Sequence, residues 1–261
     1  MIGCGTTTPF ATQIGPATTT TTPYVAAIPP TVSVAISGPV EVVYNYSTQA
    51  CANGDIPDMG ARAFRDASGN VHLIASNNIN RGMVGATLNT VQKVCNIIYQ
   101  DDMSADPSTI DDAGWLESFY TLDGQTIYGY ASLDYHPYRH NLPCRSSPPD
   151  TADTDNCWYS TIIQANSTDG GNTFVSPAPG VARFVAGSSY VFSPTHTATT
   201  GALIHTNIVS MNGAYYMLVG MAGDRAQTGG DCLFRTTNLA DPTSWRAWDG
   251  VGFNIQSSVD P

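Results

Sequence analysis

The chain of 261 residues contains a single lysine, Lys93, and its 10 basic side chains stand against 21 acidic ones, for a formal net charge of −11. With no basic run or face it cannot neutralise a phosphate backbone, which excludes sequence-independent nucleic-acid binding and electrostatic adhesion to an anionic membrane surface. No apolar run approaches the roughly 20 residues of a helical membrane span. There is no CxxC pair to suggest zinc, and no phosphate loop, nucleophile elbow or dinucleotide fingerprint, so neither a metal nor a cofactor is expected. Lys, Glu and Leu, which are common in helices, are also scarce. What is abundant is 24 Gly, 17 Pro and 13 Tyr within a chain that is 42% hydrophobic. That mixture has enough apolar mass for a core and is rich in turn formers, which predicts an all-β fold.

The amino terminus, Met1-Ile2-Gly3-Cys4, reads like the end of a bacterial lipobox, with an apolar and a small residue before a cysteine that is lipidated after signal cleavage. An uncharged Thr/Pro/Ala tract follows from Gly5 to Thr31 and includes Thr18 to Thr22 in one run. Such a tract cannot bury a core and suits a surface tether. Residues 1–32 are therefore expected to be a tether anchored at Cys4, the only contact with a membrane, and residues 33–261 the folded domain. The expected location is extracytoplasmic, in the periplasm or on the cell surface. Cysteine use agrees with export. Cys144 and Cys157 bracket a short polar loop and are the pair expected to form a disulfide, while Cys51, Cys95 and Cys232 are left unassigned.

Three segments share one grammar of apolar strand, glycine turn and second apolar strand. They run from Ala61 to Ile74, from Leu116 to Tyr130 and from Asn207 to Leu218. Their turn glycines, Gly69, Gly124 and Gly213, are 55 and 89 residues apart, and a four-stranded propeller blade takes roughly 40–55 residues. The wider gap holds an insertion. After the second unit, Ser167-Thr168-Asp169-Gly170-Gly171-Asn172-Thr173-Phe174 matches the pattern Ser-x-Asp-x-Gly-x-Thr-aromatic. Its physical logic is a tight hairpin: the glycines take positive φ, the aspartate accepts turn N–H groups, and the aromatic packs between blades.

This segment resembles the Asp box of sialidases and other β-propellers. Together with Ala61 to Asn70 and Cys232 to Gly250, it makes the region from about residue 35 to 261 similar to the bacterial sialidase-like and five-bladed glycoside-hydrolase propellers. The resemblance implies four-stranded antiparallel blades, but only about three can be counted, so an open, incomplete propeller is expected. It also implies that the functional pocket lies on the face opposite the Asp box.

Tracing the strands assigns to that face the Asp55 to Asp58 approach, the Asn77 to Arg81 loop, Asp101 to Trp115, Asp134 to Cys157, Ser193 to His205, and Asp224 to Gly230. Asp134-Tyr135-His136, followed by Arg139 and His140, is the strongest candidate, because an apolar strand abruptly delivers acid, imidazole and guanidinium. Asp58 is a candidate second carboxylate, equally readable as a turn aspartate beside Pro57. Arg62 lies on an apolar strand and needs a ligand or an ion-pair partner such as Asp66. His205 and Asn207 are placed to line the funnel, with a hydrogen-bonded core histidine as the plainer reading. Arg225 is a loop arginine that solvent alone would satisfy, and Arg235 is as able to brace a blade as to bind a ligand. Trp115 is a candidate sugar platform, against the commoner fate of a buried aromatic.

Two functions follow. One is a surface-anchored glycoside hydrolase in which Asp134 protonates the leaving oxygen and Asp58 activates water or stabilises the oxocarbenium ion. The other is a non-catalytic propeller that binds a glycan or a protein. The expected ligand of the hydrolase is a carbohydrate. A sialidase proper needs three arginines converging on a substrate carboxylate, to be drawn from Arg62, Arg139, Arg225 and Arg235.

Overall fold

A computed structural model of the chain describes residues 38–75, 77–142, 157–188, 192–194, 199–223 and 229–257. The chain is all-β apart from one helical turn, α1 (Tyr46–Gln49), and short 3₁₀ turns. Cys4, the tether and Arg225 lie outside the described residues.

Three antiparallel blades follow one another. The first is β1 (Arg62–Arg65), β2 (Val71–Ile74), β3 (Gly82–Gly85) and β4 (Gln92–Lys93), paired in chain order. The second is β5 (Ala113–Thr121), β6 (Ile127–Tyr135), β7 (Tyr159–Ser167) and β8 (Phe184–Ala186). In the third, β9 (Thr200–His205) and β10 (Val209–Met211) both pair with β11 (Ala214–Met221), which continues into β12 (Gly230–Thr236), β13 (Arg246–Trp248) and β14 (Phe253–Ile255). A short parallel pairing of Tyr159 and Ser160 with Thr200 and Gly201 joins the second and third blades into one ten-stranded sheet. The array is an open propeller, not a closed ring.

The three glycine turns are those read from the sequence. Gly69, Gly124 and Gly213 join β1 to β2, β5 to β6 and β10 to β11, each at a positive φ between 71° and 86°.

Alternation along the strands builds two cores. On β6, Ile127, Ala131 and Leu133 face blade one, where they pack with Phe64, Ile74, Leu116, Phe119, Ile163 and Phe174. The intervening Tyr130 faces blade three and packs with Ile162, Met217, Val219, Phe234 and Trp245. Blade three buries one face in this way and exposes the other. Ile204, Leu218, Leu233 and Trp248 stand on that outer face, each more than a third exposed.

The hairpin from Ser167 to Phe174 lies between β7 and β8. Asp169 Oδ1 accepts from the backbone N–H of Asn172 and Thr173 at 3.0 Å each, and Oδ2 accepts from Thr173 Oγ1 at 2.6 Å. Ser167 Oγ accepts from Gly171 N at 2.8 Å. Gly171 sits at φ +94°, where a Cβ would stand 2.4 Å from the Phe64 ring, so the turn is pressed against blade one. Phe174 is buried edge-on to Phe64.

One pair forms among the cysteines that the sequence left unassigned. Cys51 and Cys95 form a disulfide with Cα atoms 5.3 Å apart, stapling the segment before blade one to the segment after it. The expected Cys144–Cys157 bridge involves Cys144, outside the described residues. Cys157 is buried, with its Sγ 3.5 Å from the Pro194 carbonyl oxygen.

Removing the Asp169 carboxylate leaves four donors to water, the Asn172 and Thr173 N–H groups and the Ser167 and Thr173 hydroxyls. Asp169→Ala should therefore lower unfolding stability by about 1–2 kcal/mol while keeping the fold. Gly171→Ala should cost more, because it adds a clash to a strained φ. Urea denaturation followed by tryptophan fluorescence measures both, and an Asp169→Ala midpoint equal to wild type would remove this account of the turn.

Candidate functional site

Register separates the two ends of blade two. Asp134 pairs with Ser160 at one end of the β6–β7 ladder and Ile127 pairs with Ser167 at the other. Seven residues at 3.4 Å each put Asp134 about 24 Å from the Asp169 hairpin.

At the Asp134 end opens a cavity of about 480 Å³, lined by Asp58, Met59, Trp115, Ser132, Asp134, His136, Tyr138, Arg139, Trp158, Ser160, Thr199, Leu203 and Ile204. The same alternation that sends Tyr130 into the core sends Ser132 and Asp134, two and four residues on, into this space. Five of the expected residues meet here: Asp134, Asp58, His136, Arg139 and Trp115.

The Asp134 side chain is 18% exposed. Its Oδ1 accepts from the Ser160 hydroxyl across the ladder, and its Oδ2 lies 3.8 Å from His136 Nε2. Burial pushes its acidity up to about 6; the Ser160 hydrogen bond and the Arg139 charge pull it down, and the charges of Asp112 and Asp58 push it up. His136 is held down to about 3, first by burial and then by the Arg139 and His140 charges, so its ring is neutral near pH 7. Asp58 is exposed at the cavity mouth, and its Oδ2 accepts from Trp115 Nε1 at 3.0 Å.

The turn after β6 is fixed from beneath. Asp112, fully buried, accepts from the backbone N–H of His136 at 2.9 Å, and its other oxygen lies 3.1 Å from His140 Nε2. This anchors the 3₁₀ turn Pro137–His140, which presents Tyr138 and Arg139 to the cavity. The Arg139 guanidinium lies 6.0 Å from the Trp115 ring centroid and 5.9 Å from that of Tyr138. The His136 ring packs edge-on to Trp158 at 4.1 Å between centroids.

The other candidates lie elsewhere. His205 is a core histidine: Glu117 Oε2 accepts its backbone N–H at 3.1 Å and lies 3.0 Å from its Nδ1. Glu117 is the extra residue at a bulge in β5, between Leu116 and Ser118, which turns it toward blade three. Asn207 is exposed in the β9–β10 turn and does not line the cavity. Arg62 is also outside the cavity; it donates to the Ala61 carbonyl, while Asp66 is held by Asn70 and His72 and makes no pair with it. The residues that sequence reasoning missed are Ser132, Ser160, Tyr138 and Trp158. The serines were legible from the two-residue period of β6 and β7. Trp158 had no signal beyond being an aromatic beside Tyr159. Among the described residues no group of three metal-ligating side chains occurs.

No family model matches the chain, and no curated protein matches it. Among solved structures it is similar to a Bombyx mori GH32 beta-fructofuranosidase in complex with sucrose, with TM-score 0.44 and 12% identity over 76% of this chain and 36% of that one. It is also similar to the catalytic domain of the Coprinopsis cinerea GH62 alpha-L-arabinofuranosidase, with TM-score 0.40 and 14% identity over 74% of this chain and 51% of that one. A third likeness is to the Cellvibrio cellulosa alpha-L-arabinanase complexed with arabinohexaose, with TM-score 0.36 and 10% identity over 78% of this chain and 76% of that one. The structural neighbours are thus glycoside hydrolases. The chain spans about a third of the first and half of the second.

The raised Asp134 pKa has a sign that stability measurements can read. Because the folded value, about 6, exceeds the ordinary 3.8, the folded state holds this proton more tightly than the unfolded chain. Its contribution is therefore full below pH 4 and declines as pH rises to 6, by about 3 kcal/mol at 1.36 kcal/mol per unit. Asp134→Asn should remove that decline, so its stability relative to wild type should rise between pH 4 and pH 7. Denaturant midpoints at the two values measure it, and parallel wild-type and variant profiles would show that Asp134 is not held protonated.

Proposed function

We propose that the chain is a glycoside-hydrolase-like propeller that acts on a glycan by carboxylate acid/base chemistry. The observation that carries this reading is one cavity holding two carboxylates in unlike surroundings, Asp134 recessed and raised to about 6, Asp58 at the open mouth. Hydrolysis of a glycosidic bond asks for such a pair. Asp134 in its protonated form donates to the leaving oxygen. Asp58, held by the Trp115 N–H, activates water or stabilises the positive charge that develops on the sugar ring. Trp115, Tyr138 and Trp158 offer apolar faces to sugar rings, and Arg139 offers donors to hydroxyls. Attachment through Cys4 on the outside of the cytoplasmic membrane belongs to the same proposal.

The sialidase variant has little support, since of Arg62, Arg139 and Arg235 only Arg139 lines the cavity, and Arg225 lies outside the described residues. A non-catalytic glycan-binding propeller is the second reading, favoured by the three aromatic side chains in the cavity wall.

A glycan array combined with a hydrolysis screen separates the two. Under the hydrolase reading, Asp134→Asn should lower turnover on the order of a thousandfold with the fold intact. The wild-type kcat/KM should fall as pH rises through about 6, where Asp134 loses its proton. Ser160→Ala removes a hydrogen bond that favours the charged form, so it should move that limb to higher pH. Wild-type turnover in Asp134→Asn would end the assignment, and array binding with no hydrolysis would put the binding module ahead.

A further inference from the structure

Blade three carries a second polar recess, about 150 Å³ in volume, lined by Arg235, Thr236, Thr237, Ser244, Arg246 and Phe253. It is distinct from the Asp134 cavity. Ile204, on the cavity wall, is level through Gly220 with Asp231, and Arg235 stands four residues further along β12, about 14 Å away.

Two arginines face each other here. Arg235 on β12 and Arg246 on β13 are direct cross-strand partners, so their side chains leave the same face of the sheet. Like charges in that relation repel and weaken a sheet unless something compensates them. Among the described residues no carboxylate lies within ion-pair distance of either guanidinium. The contrast is with Arg81 and Arg183, which do pair with aspartates. Arg246 spends one nitrogen on the Thr243 and Trp245 carbonyls, which points its fork along the hairpin and leaves other N–H groups over. Arg235 lies 5.5 Å from the centre of the Phe253 ring. Its Nε is buried and has no acceptor among the described residues. A buried donor in that state carries a desolvation cost that a ligand oxygen would relieve.

We propose that this recess binds a small oxyanion, held between the Arg235 and Arg246 guanidinium groups and floored by Phe253. Two planar forks are suited to the paired oxygens of a sulfate or a carboxylate, and the charge of the ligand removes the cross-strand repulsion. The oxyanion is either inorganic or carried by an acidic sugar, and the chemistry of recognition is the same for both. The proposal is independent of any activity at Asp134.

Isothermal titration of the full chain with sodium sulfate, sodium glucuronate and, as the neutral control, glucose, all at constant ionic strength, tests it. One equivalent of sulfate or glucuronate should bind and glucose should not. Arg246→Met should weaken binding at least about tenfold. Arg235→Lys, which keeps the charge and loses the fork, should weaken it as well and guards against a fold defect in either variant, with circular dichroism as the check. Sulfate binding that equals or exceeds glucuronate binding identifies an inorganic anion, and tighter glucuronate binding identifies an acidic sugar. No binding of either anion, or binding unchanged in both variants, overturns the proposal.

Discussion

The nine-residue pairing of β6 with β7 is the constraint on which the rest of the molecule depends. Both strands are buried on both faces, so alternate residues of one strand serve two cores. Ile127, Ala131, Leu133, Ile163 and Ala165 meet blade one, while Tyr130 and Ile162 meet blade three. Each large side chain so buried contributes about 1.5–3 kcal/mol. A slip of one residue in this ladder would exchange the two sets and put Ser132 and Asp134 against the apolar side chains of blade one. Fixing the register therefore fixes the site as well as the core.

The hairpins between the third and fourth strands reinforce that arrangement by a shared device. In blade two the Asp169 turn leads to Phe174, which packs on Phe64 and Phe119. In blade three the turn held by Asp241, whose Oδ1 accepts from Thr243 N at 2.9 Å, leads to Trp245, which packs edge-on to Tyr130. Each turn is tied internally by an aspartate and sends its aromatic toward the preceding blade. Local hydrogen bonding at one end of a blade thus sets the spacing between blades, and the spacing at the other end is the width of the cavity.

Much of this was legible in the residues. The glycine turns and the two-residue alternation showed the strands, and the abrupt change from apolar residues to Asp134, Tyr135 and His136 marked where β6 leaves the core. What the sequence did not show was anything that depends on a contact between distant segments. Glu117 reads as one acid inside an apolar strand; only the bulge turns it to His205, and that contact makes His205 a core residue. Asp58 was equally readable as a second carboxylate and as a turn aspartate, and its bond from Trp115, 57 residues away, had no local signal. The Cys51–Cys95 bridge spans 44 residues and had no local signal.

A shifted acidity by itself would have pointed to the wrong place. Asp101 is pushed up to about 7, further than Asp134, by burial and by the nearby Asp111. Its environment is nevertheless closed: Tyr99 donates to Oδ1 at 2.6 Å, Arg183 donates to the same oxygen at 2.9 Å and bridges to Asp111 at 3.3 Å. A Cβ on Gly114 would stand 2.1 Å from Oδ2, so the backbone of β5 closes over the carboxyl. That cluster ties the segment before β5 to the segment before β8 and has no room for a substrate. Asp134 differs in having one oxygen held by Ser160 and the other turned to a cavity with a second carboxylate at its mouth. The same burial raises both acids, but one is closed in by structural partners and the other borders a cavity; the distinction lies in the space beside the group.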